Sequence, residues 1–398
     1  MKKTIILACL SLLISSCGLD STKTLNNQDK ISSFNKISQE NVKKAKWTIM
    51  VYISGDNDLE DYVVKDIEKE LAVIGSTADV EIVALADRNP KYDKSRGDWT
   101  DTKLFHVTKG MLADSKSAVA HWGERNMGDP NTLSEFVNWS KNTYPADHYA
   151  LYMWGHGYNW RTGYTMEDQT SKDSLDPDEV KAIFNKIGFI DMVAYDGCNM
   201  ASIEVDALWH GHSTTIVHSQ EYVEWDGIEY DTVIKKLNEN PLLNSDQVAI
   251  ITNKSASVNK EKTGSAIAVD ARWDKFIKSF DEWSVALKDG LAKNRKIYDQ
   301  AFKEGQSFYE APDDKDLYDI ASKINKYTTD PLIKSKSQAL MSSFKNVILD
   351  EWHTKDYANA HGMTISKLPV KDTSFKYYKS LDFSQNTHWD EFLEAYKN

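Results

Sequence analysis

Short apolar runs alternate with amphipathic stretches along most of this chain, and that rhythm limits its fold more than any other feature. Trp47-Thr-Ile-Met-Val-Tyr-Ile-Ser54 is the first such run, and it stops at Gly55. A strand that is apolar on both faces is buried on both faces, and such strands belong to parallel sheets covered by helices. Comparable runs fall at 80–86, 103–107, 149–154, 190–195, 214–219 and 264–269, with late ones at 346–351 and 361–365. Helices are expected at about 56–74, 132–142, 178–187 and 201–209, then through a largely helical region from Trp273 to about Lys345. Asp58 and Asp61 are spaced like a capping box for the first helix. Asp176-Pro177 gives the third an N-cap and a first-turn proline. The alternation predicts an α/β fold with a mostly parallel central sheet and helices on both faces.

The N-terminus follows a different logic. Lys2 and Lys3 precede an apolar stretch over 4–14, and Ser15-Ser16-Cys17-Gly18 follows. This stretch has the length of a signal-peptide core and falls short of the roughly 20 residues a spanning helix needs. Small residues before Cys17 resemble a bacterial lipobox, so residues 1–17 read as a lipoprotein signal peptide with Cys17 as the lipidated residue. Residues 18–45 are rich in Ser, Asn, Lys, Gln and Thr without a sustained period, and read as a flexible tether. The expected location is the bacterial cell envelope, exported and lipid-anchored. In a diderm it is the outer membrane, because Gly18 is not the Asp that often signals inner-membrane retention.

Charge separates the same two parts. Residues 1–46 hold eight Lys and three Asp/Glu, so the rest carries −17 of a total of −12. A body that acidic excludes a nucleic-acid binder, which needs clustered Lys and Arg, and favours a basic peptide as partner. Apolar residues make up 41% of the chain, enough for a sizeable core.

Of three cysteines, Cys9 lies in the signal and Cys17 in the lipobox, so Cys198 is the one left in the body. It follows Asp196-Gly197 at the end of one strand. Gly155-His156-Gly157 ends another. In open parallel sheets functional residues sit beyond the carboxyl ends of strands, and glycines there permit sharp exits and close backbone approach. An imidazole facing a thiol favours the thiolate and can later protonate a leaving amine. The N–H groups of Gly157 and Cys198 are placed to receive an oxyanion. These are the parts of a cysteine peptidase, with His156 and Cys198 as its catalytic dyad.

Three stretches now carry a resemblance: Met50-Val-Tyr-Ile-Ser-Gly-Asp-Asn-Asp-Leu-Glu60, Trp154-Gly-His-Gly157 and Tyr195-Asp-Gly-Cys-Asn-Met-Ala-Ser202. The chain resembles the clostripain family of cysteine peptidases, of the caspase-like clan, over about residues 46–370. The resemblance implies a caspase-like three-layer sandwich, a helix-rich C-terminal part, and residues 371–398 as an extension packed on the domain. It implies an endopeptidase cutting peptide or protein substrates after Arg or Lys, through a thioester. Asp196 takes the position of the acid that shapes the pocket for the basic side chain, with Asp226 as the second acid. The loop Tyr222-Val-Glu-Trp-Asp226 departs from the family's usual small residues, so Glu224 stands as a substitute for Asp226. Relatives are often cut between the catalytic His and Cys, and Lys172, in a polar loop, is the best candidate for self-cleavage. Two other functions fit the same residues: an inactive binding module on this fold, and a Cys-dependent amidase.

No cofactor is expected and no metal site is assigned. The resemblance leaves calcium open, since some members use it. Asp56, Asp58 and Glu60 alternate like a calcium loop but lack its turn glycine and terminal Glu, and helix capping accounts for them. His210-Gly-His212 has no further ligand beside it.

Overall fold

The computed structural model describes residues 44–161, 165–259, 262–309 and 311–397. The signal peptide, Cys17 and nearly all of the tether lie outside these residues. Apolar runs and their caps give the elements in order. Strand β1 (Ala45–Gly55) leads into helix α1 (Glu60–Asp66), which continues through a π turn (Ile67–Leu71) to Ile74. Strands β2 (Val80–Arg88), β3 (Thr102–His106) and β4 (Ala120–Gly123) follow, then α2 (Pro130–Thr143) and β5 (Ala146–Trp154). A hairpin, β6 (Thr165–Asp168) and β7 (Asp173–Leu175), precedes α3 (Pro177–Ile187). Next come β8 (Ile190–Asp196), α4 (Ile203–Trp209), β9 (Ser213–His218), α5 (Tyr230–Glu239), α6 (Ser245–Ala256) and β10 (Thr263–Ala268). The C-terminal third holds α7 (Ala271–Glu304), β11 (Asp314–Asp316), α8 (Leu317–Tyr327), α9 (Pro331–Val347), β12 (Ile348–His353) and β13 (Thr364–Ser366). Three short helices end it: α10 (Phe375–Tyr378), α11 (Asp382–Gln385) and α12 (Trp389–Lys397).

Among the described residues nine strands form one sheet in the order β12-β10-β9-β8-β5-β1-β2-β3-β4. The five central strands, β9 to β2, are parallel; the wings on either side are antiparallel. Alternate β1 residues face opposite cores. Met50 and Tyr52 join Phe136, Ile183 and Trp209, while Ile49, Val51 and Ile53 join Ile67, Val233 and Val248. Helices α2, α3 and α4 thus cover one face, and α1, α5 and α6 the other, which makes three layers. The long α7 carries the C-terminal helices: Trp389 stacks on Trp283 at 5.7 Å, and Phe392 meets Tyr298.

Two local expectations fail. Helix α1 begins at Glu60 with Leu59 as N-cap and no side-chain cap, so Asp58 and Asp61 form no capping box. Asp56 instead accepts from Asn89 and Thr170, Asp58 meets His156, and Glu60 holds Arg88 and the Asp93 amide, which the helix-capping explanation missed. The structure also adds α5, α6, β4 and the β6–β7 hairpin. Asp176 does cap α3, in a full capping box with Glu179 and Pro177 at the first turn.

Candidate active site

The exits of β5 and β8 lie side by side because the two strands pair in parallel up to Trp154 opposite Asp196. Beyond the pair the two loops interlock through glycines. Gly155 N donates to Asp196 O at 3.2 Å. A Cβ on Gly157 would stand 2.4 Å from the Cys198 carbonyl oxygen, and one on Gly197 2.6 Å from that of Gly155. No side chain fits at either place, so these glycines are required by contact. His156 and Cys198 consequently line the same cavity, of about 580 Å³, together with Gly157, Asp196, Glu224 and Trp225.

Each loop is braced from outside. The His156 loop is tied down by Arg161, whose guanidinium forks onto Asp314 with two 2.9 Å bonds, and by Asn159, which donates to the same carboxylate. The Cys198 loop lies along the exit of β9, with Asn199 N on Glu221 O and Ala201 N on Ser219 O. Val223 N donates to the Cys198 sulfur at 3.4 Å. His156 Nε2 meets Asp58 Oδ1 at 2.7 Å. That contact spans 98 positions, and sequence reasoning had spent Asp58 on a helix cap.

The acids differ in placement. Asp196 is 7% exposed and borders the cavity. Its Oδ2 accepts from Tyr230 Oη at 2.8 Å and Ile228 N at 3.3 Å, and Gly227 leaves room beside it. Burial pushes its carboxyl up to about 6, against the pull of these two hydrogen bonds. Asp66 and Glu70 stand behind it. Burial, then the charges of Asp196 and Glu70, hold Asp66 well above its ordinary value; Glu70 is pushed up to about 7, mainly by burial. Glu224 lines the cavity and is held by Lys262 at 2.6 Å. Asp226 is not among the lining residues; it pairs with Lys65 on an exposed surface. Trp225, 57% exposed, stacks on Tyr62 at 5.4 Å and walls the cavity opposite the strand ends. Tyr230, Asp66 and Glu70 were not found from sequence, since none sits in a motif.

Lys172 is exposed at the tip of the β6–β7 hairpin with φ 56°. Lys181 lies within α3 and pairs with Asp382. His210 contacts Val269 O and Asp274, and His212 stacks on Phe184, so the pair gathers no ligand set.

The sequence profile of the clostripain family matches residues 51–396. The chain belongs to the clostripain family. It is a cysteine peptidase. Clostripain from Hathewaya histolytica is 26% identical over 388 residues, covering 81% of this chain and 73% of that protein. Two solved structures share the clostripain-family fold. One is a secreted C11 cysteine protease from Bacteroides thetaiotaomicron in complex with an irreversible peptide inhibitor, with TM-score 0.64 and 15% identity over 87% of this chain and 100% of that one. The other is an inactive zymogen C11 protease from Parabacteroides distasonis, with TM-score 0.61 and 17% identity over 87% and 99%. The caspase-like sandwich expected from the sequence is the fold found. The clostripain profile also runs through α10 to α12.

Proposed function

We propose that this chain is a membrane-anchored endopeptidase that cuts after Arg or Lys with a His156/Cys198 dyad. The interlocked glycine exits that bring His156 and Cys198 to one cavity carry the reading. With Asp58 accepting from Nε2, Nδ1 is the basic nitrogen that serves the thiol. His156 takes the Cys198 proton, and the thiolate attacks the scissile carbonyl carbon. The oxyanion is received by Gly157 N–H and Cys198 N–H. As the C–N bond breaks, His156 gives its proton to the leaving amine, and the acyl group stays on sulfur as a thioester. Water, deprotonated by His156, then releases the acid.

Basic specificity rests on Asp196 at the cavity wall. A guanidinium or ammonium is the natural guest of such a site. Glu224 contributes from the rim; Asp226, facing Lys65, has the lesser claim. The membrane anchor is the lipid on Cys17.

The deciding experiment labels the purified protein with thiol-reactive peptide ketones ending in Arg, Asp or Leu. Labelling by the Arg probe alone, lost in Cys198→Ala, is expected. Equal labelling by all three would remove the specificity, and none at all would favour the binding-module reading.

A further inference from the structure

A tryptophan left open to solvent at a cavity wall needs a reason, because indole is one of the largest apolar surfaces a chain can show. Among the described residues the other tryptophans are buried or half-buried, whereas Trp225 is 57% exposed.

The sequence places it on a built turn. Glu224-Trp225-Asp226-Gly227 closes through Gly227 N on Glu224 O at 3.0 Å, with Gly227 at φ 52°. A Cβ on Gly227 would stand 2.6 Å from Asp196 Oδ1, so the turn docks its backbone directly on that acid. The two acids beside Trp225 are ion-paired to different elements, Asp226 to Lys65 of α1 and Glu224 to Lys262 ahead of β10. Tyr62, also of α1, stacks on the indole at 5.4 Å with 14° between the planes, and Lys65 stands over the Tyr62 ring at 5.1 Å. The indole is thus held in place before any substrate arrives, which lowers the cost of binding against it.

The cavity has room for more than the guest of Asp196. Its volume of about 580 Å³ is in the range that buries a drug-sized ligand, larger than one side chain. Leu59, Tyr62, Val223, Trp225 and Pro312 give it an apolar wall, which calls for an apolar guest.

Sheet order decides which part of a peptide meets that wall. Strands β9, β8 and β5 are neighbours in that order. Trp225 follows β9, Cys198 follows β8 and His156 follows β5, so the thiol stands between the imidazole and the indole in this order. On the proposed dyad the leaving amine takes its proton from His156 and departs on the β5 side. The acyl part stays on sulfur and lies toward β9. Val223, whose N donates to the Cys198 sulfur, and Gly227, packed on Asp196, are each two positions from Trp225. Two residues span at most about 7 Å, which puts the indole within a neighbouring residue's reach of both the thiol and the acid.

We propose that Trp225, backed by Tyr62, forms a subsite for an apolar or aromatic side chain on the residue just before the scissile Arg or Lys. Such a subsite presupposes the dyad and the basic guest of Asp196, both proposed above. The neighbouring side chain lies against the indole and adds apolar burial to the ion pair at Asp196.

The test digests a library of synthetic peptides with the purified full chain and identifies both sides of every cut by mass spectrometry. In wild type, Leu, Met, Phe and Tyr should precede the scissile residue about tenfold more often than Gly, Ser or Asp. Trp225→Ala should bring that ratio to about twofold or less, and Trp225→Phe should keep most of it, since a ring remains. A flat profile in wild type would overturn the subsite whatever the variants do. So would Trp225→Ala keeping the wild-type ratio, at whatever overall rate, since only a structural role is then left. Apolar enrichment on the far side of the cut would overturn the placement on the acyl side. The residue at the cut scores the basic-specificity reading separately. Cuts after residues other than Arg or Lys, with the apolar neighbour retained, would strike Asp196 and leave Trp225 standing. No cut in any peptide would overturn both.

Discussion

On the proposed dyad, a thiol and an imidazole on two adjacent strand ends work as one unit, so their losses should not add. Cys198→Ala and His156→Ala should each lower kcat/KM by about 10³-fold or more, and the double variant hardly further; residual peptide cleavage in Cys198→Ala would remove the assignment. Asp196 lends itself to a finer test. Its carboxyl is neutral below about pH 6 and charged above it. The preference for Arg substrates over neutral ones should therefore grow as pH rises through about 6 and then level off, measured as a ratio of kcat/KM values. Asp196→Asn should remove that rise and cost basic substrates about 10–100-fold more than neutral ones. Stability moves the other way. A buried acid with a raised pKa opposes folding once pH climbs from its unfolded value towards its folded one, so Asp196→Asn should be the more stable protein at pH 8, by up to about 3 kcal/mol. Losing both specificity and stability would mark Asp196 as a structural turn residue. That His156, Cys198 and Asp196 share one cavity was legible because each sits in a glycine-bearing motif at a strand end. Asp58 was not, because its meaning lies in a contact 98 positions away, with His156.

At the scale of elements, the interlocked β5 and β8 exits fix how His156 and Cys198 reach their shared cavity, and on the proposed dyad they set the geometry of catalysis. Gly197→Ala forces a Cβ to within 2.6 Å of a carbonyl oxygen, so one loop must move. A shift of about 1 Å costs about 10²-fold in rate, so kcat should fall that far while circular dichroism stays native; wild-type kcat in this variant would mean that the loops are not locked. The same strands explain what could be read beforehand. Continuous apolar runs made β1, β2, β5 and β8 plain, and Asp-Pro made the start of α3 plain. Helices α5 and α6 lie in mixed polar sequence and owe their place to docking on the sheet, through Val233, Ile234 and Val248. The β6–β7 hairpin is so short that its polar residues read only as loop. Its tip is nonetheless where a cut fits best. Arg161 is locked onto Asp314 and Lys181 sits in a helix, whereas Lys172 is exposed. Purified wild type should show two fragments and a new N-terminus at Asp173, and Cys198→Ala a single band. An intact, active wild type would show that no cut is needed.

The whole molecule combines an acidic body with a basic N-terminal segment that contains Cys17. Cys17→Ser should move the protein from the detergent phase to the aqueous phase, or leave it as an uncleaved precursor; unchanged partitioning would count against the lipid. The body's strand order has a consequence of its own. A break at Lys172 divides the sheet without interleaving: β1 to β5 stay on one side of the seam, and β8, β9, β10 and β12 on the other. The seam is the β5–β8 pairing, at whose exits His156 and Cys198 line one cavity. On the proposed dyad one half then owns the base and the other the nucleophile, so neither should cut alone. Encoded as two genes, residues 1–172 and 173–398 should behave as a split enzyme whose activity reports their reunion.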